Sequence, residues 1–482
     1  MALKLGKRLD MHKAHHHFLR RLLVTCSTGL LFFSSSLFAV AQPTLIPADT
    51  VTVEVSIPAP TALQFSGQMV LDWMQLSLLL TQQTPGMSPP AAARAFAYQS
   101  LALYEAVVSG MPGHQSLAGQ LNELSSLPLA QPDEALHWPT VANASLAAIT
   151  RMMFPHASAE HKGRINQLER SLPLKYSRDF DPTRTTIERS RRSETFGRLM
   201  AMAVMTWART DGGHEAWGPV RRDQANYVPP SQPGQWASTP PGFVAPLLPY
   251  WGNNRPFVLP QGNPSSVCPA PEPLVFSEDI NSEFQRQVQE VHRLSTQATQ
   301  EQRQVALYWA DDPIKTSTPA GHWLHIAIDV LREKQANLAD TASSLVRLNI
   351  AMSDAFVAAW HAKYHFQVMR PVTAVQLTID SRWVPPLMQT PPFPEYPSGH
   401  SVQSAAAAQV LDAVFGGNTA FTDNSHNDRG WGPRQFRSFQ IAAQEAAMSR
   451  LYAGIHYRFG IEGGFVQGRC VGQKILGLKL KP

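Results

Sequence analysis

The chain has 482 residues, 44% apolar and 16% charged, with a formal charge of +5. That composition belongs to a folded globular protein and excludes a disordered or fibrous one, and the length suits two domains or one large helical assembly. The charge excess lies at the N-terminus, so it makes no case for nucleic acid binding.

Residues 1–41 hold Lys4, Lys7, Arg8, Lys13, Arg20 and Arg21 against Asp10 alone, six minus one, which is the whole excess of +5. An apolar run, "LLVTCSTGLLFFSSSLFAVA", follows and ends in Ala39-Val40-Ala41. A basic start, an apolar middle and small residues at the end predict a secretory signal peptide over 1–41. A run of about 20 residues could also anchor the chain in a bilayer. Its Thr, Gly and Ser residues make a poor permanent span, so cleavage is expected, with export to the periplasm or the exterior. Cys26 leaves with the signal, and Cys268 and Cys470 either pair in an oxidising compartment or stay free and buried.

Residues 42–65 are rich in Pro, Thr and Val and predict an extended lead-in. From 66 to 215 apolar residues recur at spacings of three and four, which predicts a first helical bundle. Residues 216–275 are dense in Pro, Gly and Trp and form a connecting loop whose length marks it as functional or as a domain connector. Helical pattern resumes over 276–482, at 277–297, 301–310, 319–336, 339–370, 399–415, 436–453 and 461–477. The expected fold is all-α, two helical bundles joined by the aromatic loop.

Three segments of the second bundle carry chemistry. In "PPFPEYPSGHS" (391–401), prolines stiffen the approach to Ser398-Gly399-His400, and the Ala-rich run behind them is a strong helix former. These three residues therefore occupy a helix's first turn, where free N–H groups and the macrodipole invite an anion. A capping Ser, a turn Gly and a surface His would look the same in isolation. In "WHAKYHFQVMRP" (360–371), Lys363 and Arg370 lie about 700° apart on a continuous helix, nearly two full turns, with Trp360 roughly 60° from Lys363. Two cations on one stripe beside a Trp suit a doubly charged oxyanion. His361 and His365 have a metal pair's spacing but face away from Lys363 and have no third ligand in sequence, so they read as surface residues. In "SRLYAGIHYRFG" (449–460), Arg450 and His456 would lie roughly 120° apart on an ideal helix, and they converge only if the chain bends at Gly454.

Together these segments offer three cations, a hydroxyl, a backbone N–H and two imidazoles, a donor set suited to a tetrahedral oxyanion of charge −2 or −3.

The ordered motifs Lys-x6-Arg-Pro (363–371), Pro-Ser-Gly-His (397–400) and Ser-Arg-x5-His (449–456) resemble the signature of the vanadium-dependent haloperoxidase and type 2 phosphatidic acid phosphatase superfamily. Trp360, Phe393, the run "YWADD" (308–312) and the loop "TPPGFVAPLLPYWGNNRPF" (239–257) are similar to the secreted vanadium chloroperoxidase-like group. The resemblance implies vanadate as cofactor, with phosphate able to occupy the same site. Lys363, Arg370, Ser398, Gly399 and Arg450 would hold its oxygens, His456 would bind vanadium axially, and His400 would be the general acid–base. Lys363 would polarise bound peroxide for attack by halide, Trp360 and Phe393 would line the halide pocket, and Asp312 would be the acid beside Arg450. Hydrogen peroxide and a halide are the implied substrates. A phosphatase acting on a phosphate ester would use the same pocket, with His456 attacking phosphorus, and a non-catalytic oxyanion binder is the third reading. One position departs from the superfamily pattern. An Asp usually follows the last His after three residues to orient it, and here that position is Gly460, with Glu462 nearby in sequence.

Overall fold

The computed structural model describes residues 60–131, 135–175, 187–215 and 227–482. The signal peptide and nearly all of the lead-in fall outside the described residues. Residues 58–482 form one compact unit, and the all-α expectation holds, with thirteen α-helices among the described residues.

The first five helices are α1 (Gln68–Gln83), α2 (Pro89–Val107), α3 (Trp138–Met153), α4 (Ala159–Lys175) and α5 (Ile187–Ala208). Eight more follow the loop: α6 (Glu283–Thr296), α7 (Gln300–Tyr308), α8 (Thr318–Glu333), α9 (Leu338–Phe366), α10 (Pro371–Thr378), α11 (Gly399–Phe415), α12 (Phe439–Tyr452) and α13 (Arg458–Leu476). α2 is buried from Pro90 to Val107, because small and apolar residues dominate it and its buried Arg94, Gln99 and Glu105 are paired with Asp211, Thr150 and the Leu117 N–H. It packs on α9, and α9 packs in turn on α11 and α13. One apolar core, running from Ala62 to Leu480, covers both helical segments.

Between α11 and α12 lies a short hairpin, β1 (Phe421–Asp423) paired antiparallel with β2 (Arg434–Phe436), in which Asp423 faces Arg434. Helical periodicity carries no signal for strands of three residues. The aromatic loop is pinned to the helices at two places. Asp354, buried on α9, accepts from the backbone N–H of Phe257, Val258 and Leu259. Cys268 and Cys470 form a disulfide that ties the loop to α13 across 202 residues of sequence. Among the described residues, no helix is long and apolar enough to cross a membrane.

α9 stops earlier than periodicity predicts. Gln367 takes a left-handed backbone (φ 56) and caps the helix after Phe366, and Arg370 is extended (φ −74, ψ 152). The residue before a proline avoids helical geometry, and Pro371 imposes that on Arg370. The two-turn stripe joining Lys363 to Arg370 is therefore not how the structure brings them together.

Candidate functional site

The site is built at the N-terminus of α11. Ser398 caps the helix and its hydroxyl accepts from Ser401 N–H, while its own backbone N–H donates to Gly460 O on α13 at 2.9 Å. α13 can come this close because glycines face α11; a Cβ at Gly468 would press into Val402 O. Gly399 opens the helix. A Cβ there would meet only Trp360, Phe356 and Lys363, at 3.6–4.0 Å, so protein packing does not demand a glycine. The first-turn N–H groups face the same space, since a helix's first four amides have no intrahelical acceptor.

Three buried cations surround this helix start. Lys363, in the last turn of α9, donates to the carbonyls of Pro394, Glu395 and Pro397 at 2.9, 2.9 and 2.6 Å. Its ammonium thus holds the proline-rich approach in place and must exchange one carbonyl to bond an anion. Burial, with Arg370 adding to it, pushes Lys363 well below the usual lysine range. Arg370 donates from Nε to Phe393 O at 2.8 Å and from Nη1 to Ile455 O at 2.9 Å, and its buried Nη2 has no partner. Arg450 donates from Nη2 to Ala306 O at 2.7 Å and from Nε to Ser449 Oγ at 2.9 Å. Burial pushes both guanidiniums down to about 10, Arg370 against the pull of Glu395 and Arg450 against that of Asp311 and Asp312.

The imidazoles are each fixed in one tautomer. α12 ends at Tyr452, Gly454 turns the chain at φ 79, and His456 follows just before α13. Its Nδ1 lies 2.6 Å from Glu395 Oε1, and its Nε2 lies 3.2 Å from Arg370 Nη1. A guanidinium only donates, so Nε2 carries the lone pair and Nδ1 the proton directed at Glu395. Burial, then the charges of Arg370 and Lys363, hold His456 well below the usual histidine range. Burial pushes Glu395 up to about 7, offset in part by Lys363 and Arg370. His400 donates from Nε2 to Trp309 O at 2.9 Å, which leaves the lone pair on Nδ1, and burial plus Arg450 pushes it down to about 3.

Glu395 is the residue that sequence reasoning missed. It contacts the His456 imidazole, where the resemblance implies an Asp at position 460, and Gly460 makes the room: a Cβ there would fall well inside contact distance of both Glu395 carboxylate oxygens. The signal was an acid among prolines three residues before Ser398. Glu462 is solvent-exposed. Trp360 and Phe393 sit together, with ring centroids 5.0 Å apart. Lys363 Nζ lies 5.0 Å and Arg370 Cζ 4.8 Å from the Phe393 ring. Leu247 O of the aromatic loop accepts from Trp360 Nε1 and Tyr364 Oη, so that loop covers the pair. Asp312 pulls on Arg450 less than Asp311 does, and its carboxylate is 43% exposed and pairs with Lys315. Its neighbour Asp311 is the buried acid, held between His322 and His426. His361 bonds Ser265 and His365 is exposed.

Three buried cations, two of which share one buried acid, Glu395, together with an Arg370 Nη2 without a partner and a helix start at Gly399, fit a tetrahedral oxyanion such as vanadate or phosphate. Fold and site therefore define an all-α protein with a cationic oxyanion cradle at a helix start. Residues 343–480 match the family of the vanadium chloroperoxidase (VCPO) second helical-bundle domain. The chain is similar to a bacterial vanadium-dependent iodoperoxidase of known structure, at 32% identity and TM-score 0.74, covering 86% of this chain and 96% of that one. It thus belongs to the vanadium haloperoxidase superfamily. Vanadium chloroperoxidase of Curvularia inaequalis is 28% identical over 151 residues, 26% of this chain and about a quarter (24%) of that protein's length. A bacterial vanadium-dependent chloroperoxidase shares the fold at 17% identity and TM-score 0.61, over 81% of this chain and 92% of that one.

Proposed function

We propose that the chain is a vanadate-dependent haloperoxidase that oxidises a halide with hydrogen peroxide to a hypohalous species. The observation that carries this reading is the single tautomer of His456. Its Nδ1 proton is fixed on Glu395, and its Nε2 lone pair faces the cationic cradle. Arg370, Arg450, Ser398, the Gly399 N–H and Lys363 would hold vanadate oxygens, and His456 Nε2 would bind vanadium. When bound, vanadate supplies a Lewis acid that activates peroxide without changing oxidation state. An anion in the cradle raises His400 from its depressed value, so its Nδ1 can take and return a proton near working pH. Trp360 and Phe393 offer the apolar face for the halide. Iodide is the first halide to test, given the 32% identity to an iodoperoxidase. The Cys268–Cys470 disulfide supports an oxidising, exported location.

The test incubates purified protein with vanadate, peroxide and iodide or bromide in a dye-halogenation assay, and in parallel with p-nitrophenyl phosphate. Halogenation that requires vanadate is expected. Phosphate release inhibited by vanadate would reassign the pocket to a phosphatase with His456 as nucleophile, and neither activity would leave an oxyanion binder.

A further inference from the structure

We propose that Asp311, His322 and His426 form a second, separate site for a divalent first-row transition metal of the Zn2+ class. All three side chains are buried, and one ligand atom from each lies within 4.8 Å of the others. Asp311 Oδ1 and His426 Nε2 are 3.3 Å apart, yet neither has a hydrogen-bond partner. With its proton on Nε2, His426 makes a long polar contact to Asp311; with the proton on Nδ1, two lone pairs face each other and a cation between them would satisfy both. Metal–ligand bonds of about 2.0–2.1 Å at tetrahedral angles place neighbouring ligands roughly 3.3–3.4 Å apart, which is the Asp311–His426 spacing, while His322 Nδ1, now hydrogen-bonded to Asp311 at 2.8 Å, must draw back slightly to ligate.

His322 is prepared for the same role. Its Nδ1 is turned to Asp311 Oδ2 and its Nε2 to Asp423 Oδ2, each at 2.8 Å. Asp423 is itself fixed by Ser425, whose N–H and hydroxyl donate to its other oxygen at 2.9 and 2.6 Å. A carboxylate on the far nitrogen is the usual support of a metal-ligating imidazole, because it fixes the ring and raises its basicity. In the metal-free protein a proton on Nδ1 bridges to Asp311, and an entering cation takes that proton's place. Asp311 has a left-handed backbone (φ 48), which aims its carboxylate inward. His426 Nδ1 makes only a marginal 3.5 Å contact with Arg429.

An entry path exists. His322 and His426 line a cleft of about 740 Å³ that His325, Asn424 and Asp428 also border. Imidazole and carboxylate donors with an open fourth position suit Zn2+, Co2+ or Ni2+ better than Ca2+ or Mg2+. The site is distinct from the oxyanion cradle but adjoins it. Trp309 stacks on the His322 ring at 4.2 Å, and the Trp309 carbonyl is the acceptor for His400.

The test strips the full chain with a chelator and titrates it with Co2+, reading visible d–d absorption. His12, His15, His16 and His17 give every variant the same background, so the readout is a difference between variants. Wild type should bind one equivalent more than His426→Gln or Asp311→Asn. His456→Gln, altered only in the oxyanion cradle, should bind as wild type does. Equal Co2+ uptake by wild type and a folded His426→Gln or Asp311→Asn variant overturns the site. A wild-type melting temperature that does not move with Zn2+ overturns it too, even if both variants fail to fold. The cluster is then an imidazolium held between two carboxylates.

Discussion

Glu395 and His456, 61 residues apart, share a 2.6 Å hydrogen bond that exists only because residue 460 has no side chain. In this chain the acid that orients the imidazole lies on the proline-rich approach, and position 460 on α13 is the glycine that admits it. Glu395→Gln should weaken vanadate binding roughly 10–100-fold while the protein stays folded. Gly460→Ala should do the same by displacing the carboxylate. Combining Glu395→Ala with Gly460→Asp, which restores the superfamily's usual arrangement, should bind vanadate more tightly than either single variant. Calorimetric titration with vanadate measures each variant against wild type. An unchanged dissociation constant in Glu395→Gln would show that the acid does not govern the imidazole.

Among the described side chains of the cradle, Arg370 contributes the one nitrogen that is buried without a hydrogen-bond partner. Arg370→Lys keeps the charge but puts its donors on one nitrogen, where Arg370 reaches Phe393 O, Ile455 O and the space for an anion from three. A hydrogen bond to a charged group contributes about 1.5–3 kcal/mol, so phosphate and vanadate affinities should both fall roughly 10–150-fold. Calorimetry against both anions checks this. A lysine variant that binds as well as wild type would mean Arg370 supplies only charge.

Much of this site was legible in sequence because its parts obey local rules. Ser398 caps a helix as its position before an Ala-rich run requires, and the turn at Gly454 was needed to bring Arg450 and His456 together. Parts that depend on how distant loops fold back were not legible. Arg370 reaches Lys363 by leaving the helix at Gln367, so the stripe argument named the right pair by the wrong path. Helical spacing also cannot separate two adjacent acids. Asp311 turns inward on a left-handed backbone while Asp312 pairs with Lys315 at the surface. Nor does spacing pair Cys268 with Cys470, since no local pattern spans 202 residues.

That disulfide gives a direct stability prediction. Closing so long a loop removes entropy chiefly from the unfolded chain, and losing a native bridge costs roughly 2–5 kcal/mol. Cys470→Ser should therefore lower the melting temperature, and reductant should lower that of wild type but not of the variant. Halogenating activity below the melting transition should survive, since neither cysteine touches the cradle. A variant as stable as oxidised wild type would show that the bridge adds nothing to the fold.

The cradle should also make the anion-free protein acid-sensitive. His400 is held at about 3 by burial and Arg450, against about 6.5 for an exposed imidazole. Between those values the unfolded chain binds a proton here that the folded chain refuses. The stability from His400 is therefore fully present above about 6.5 and lost as pH falls towards 3. His456, pushed down by burial and then by Arg370 and Lys363, acts in the same sense. His322 in the metal-free protein acts oppositely. Burial opposes its charge, but Asp311 and Asp423 prevail and push it up to about 10, so its contribution is complete below about 6.5 and fades only as pH rises towards 10. A bound oxyanion supplies the charge that lets His400 protonate, which lifts the penalty. Thermal melts at pH 7 and pH 5 should show a loss on acidification that phosphate or vanadate reduces more than chloride does at equal ionic strength. His400→Asn without anion should lose less over the same interval than wild type does. Identical losses in the two proteins would mean that His400 protonates freely in the folded state, and that the cradle does not exclude its proton.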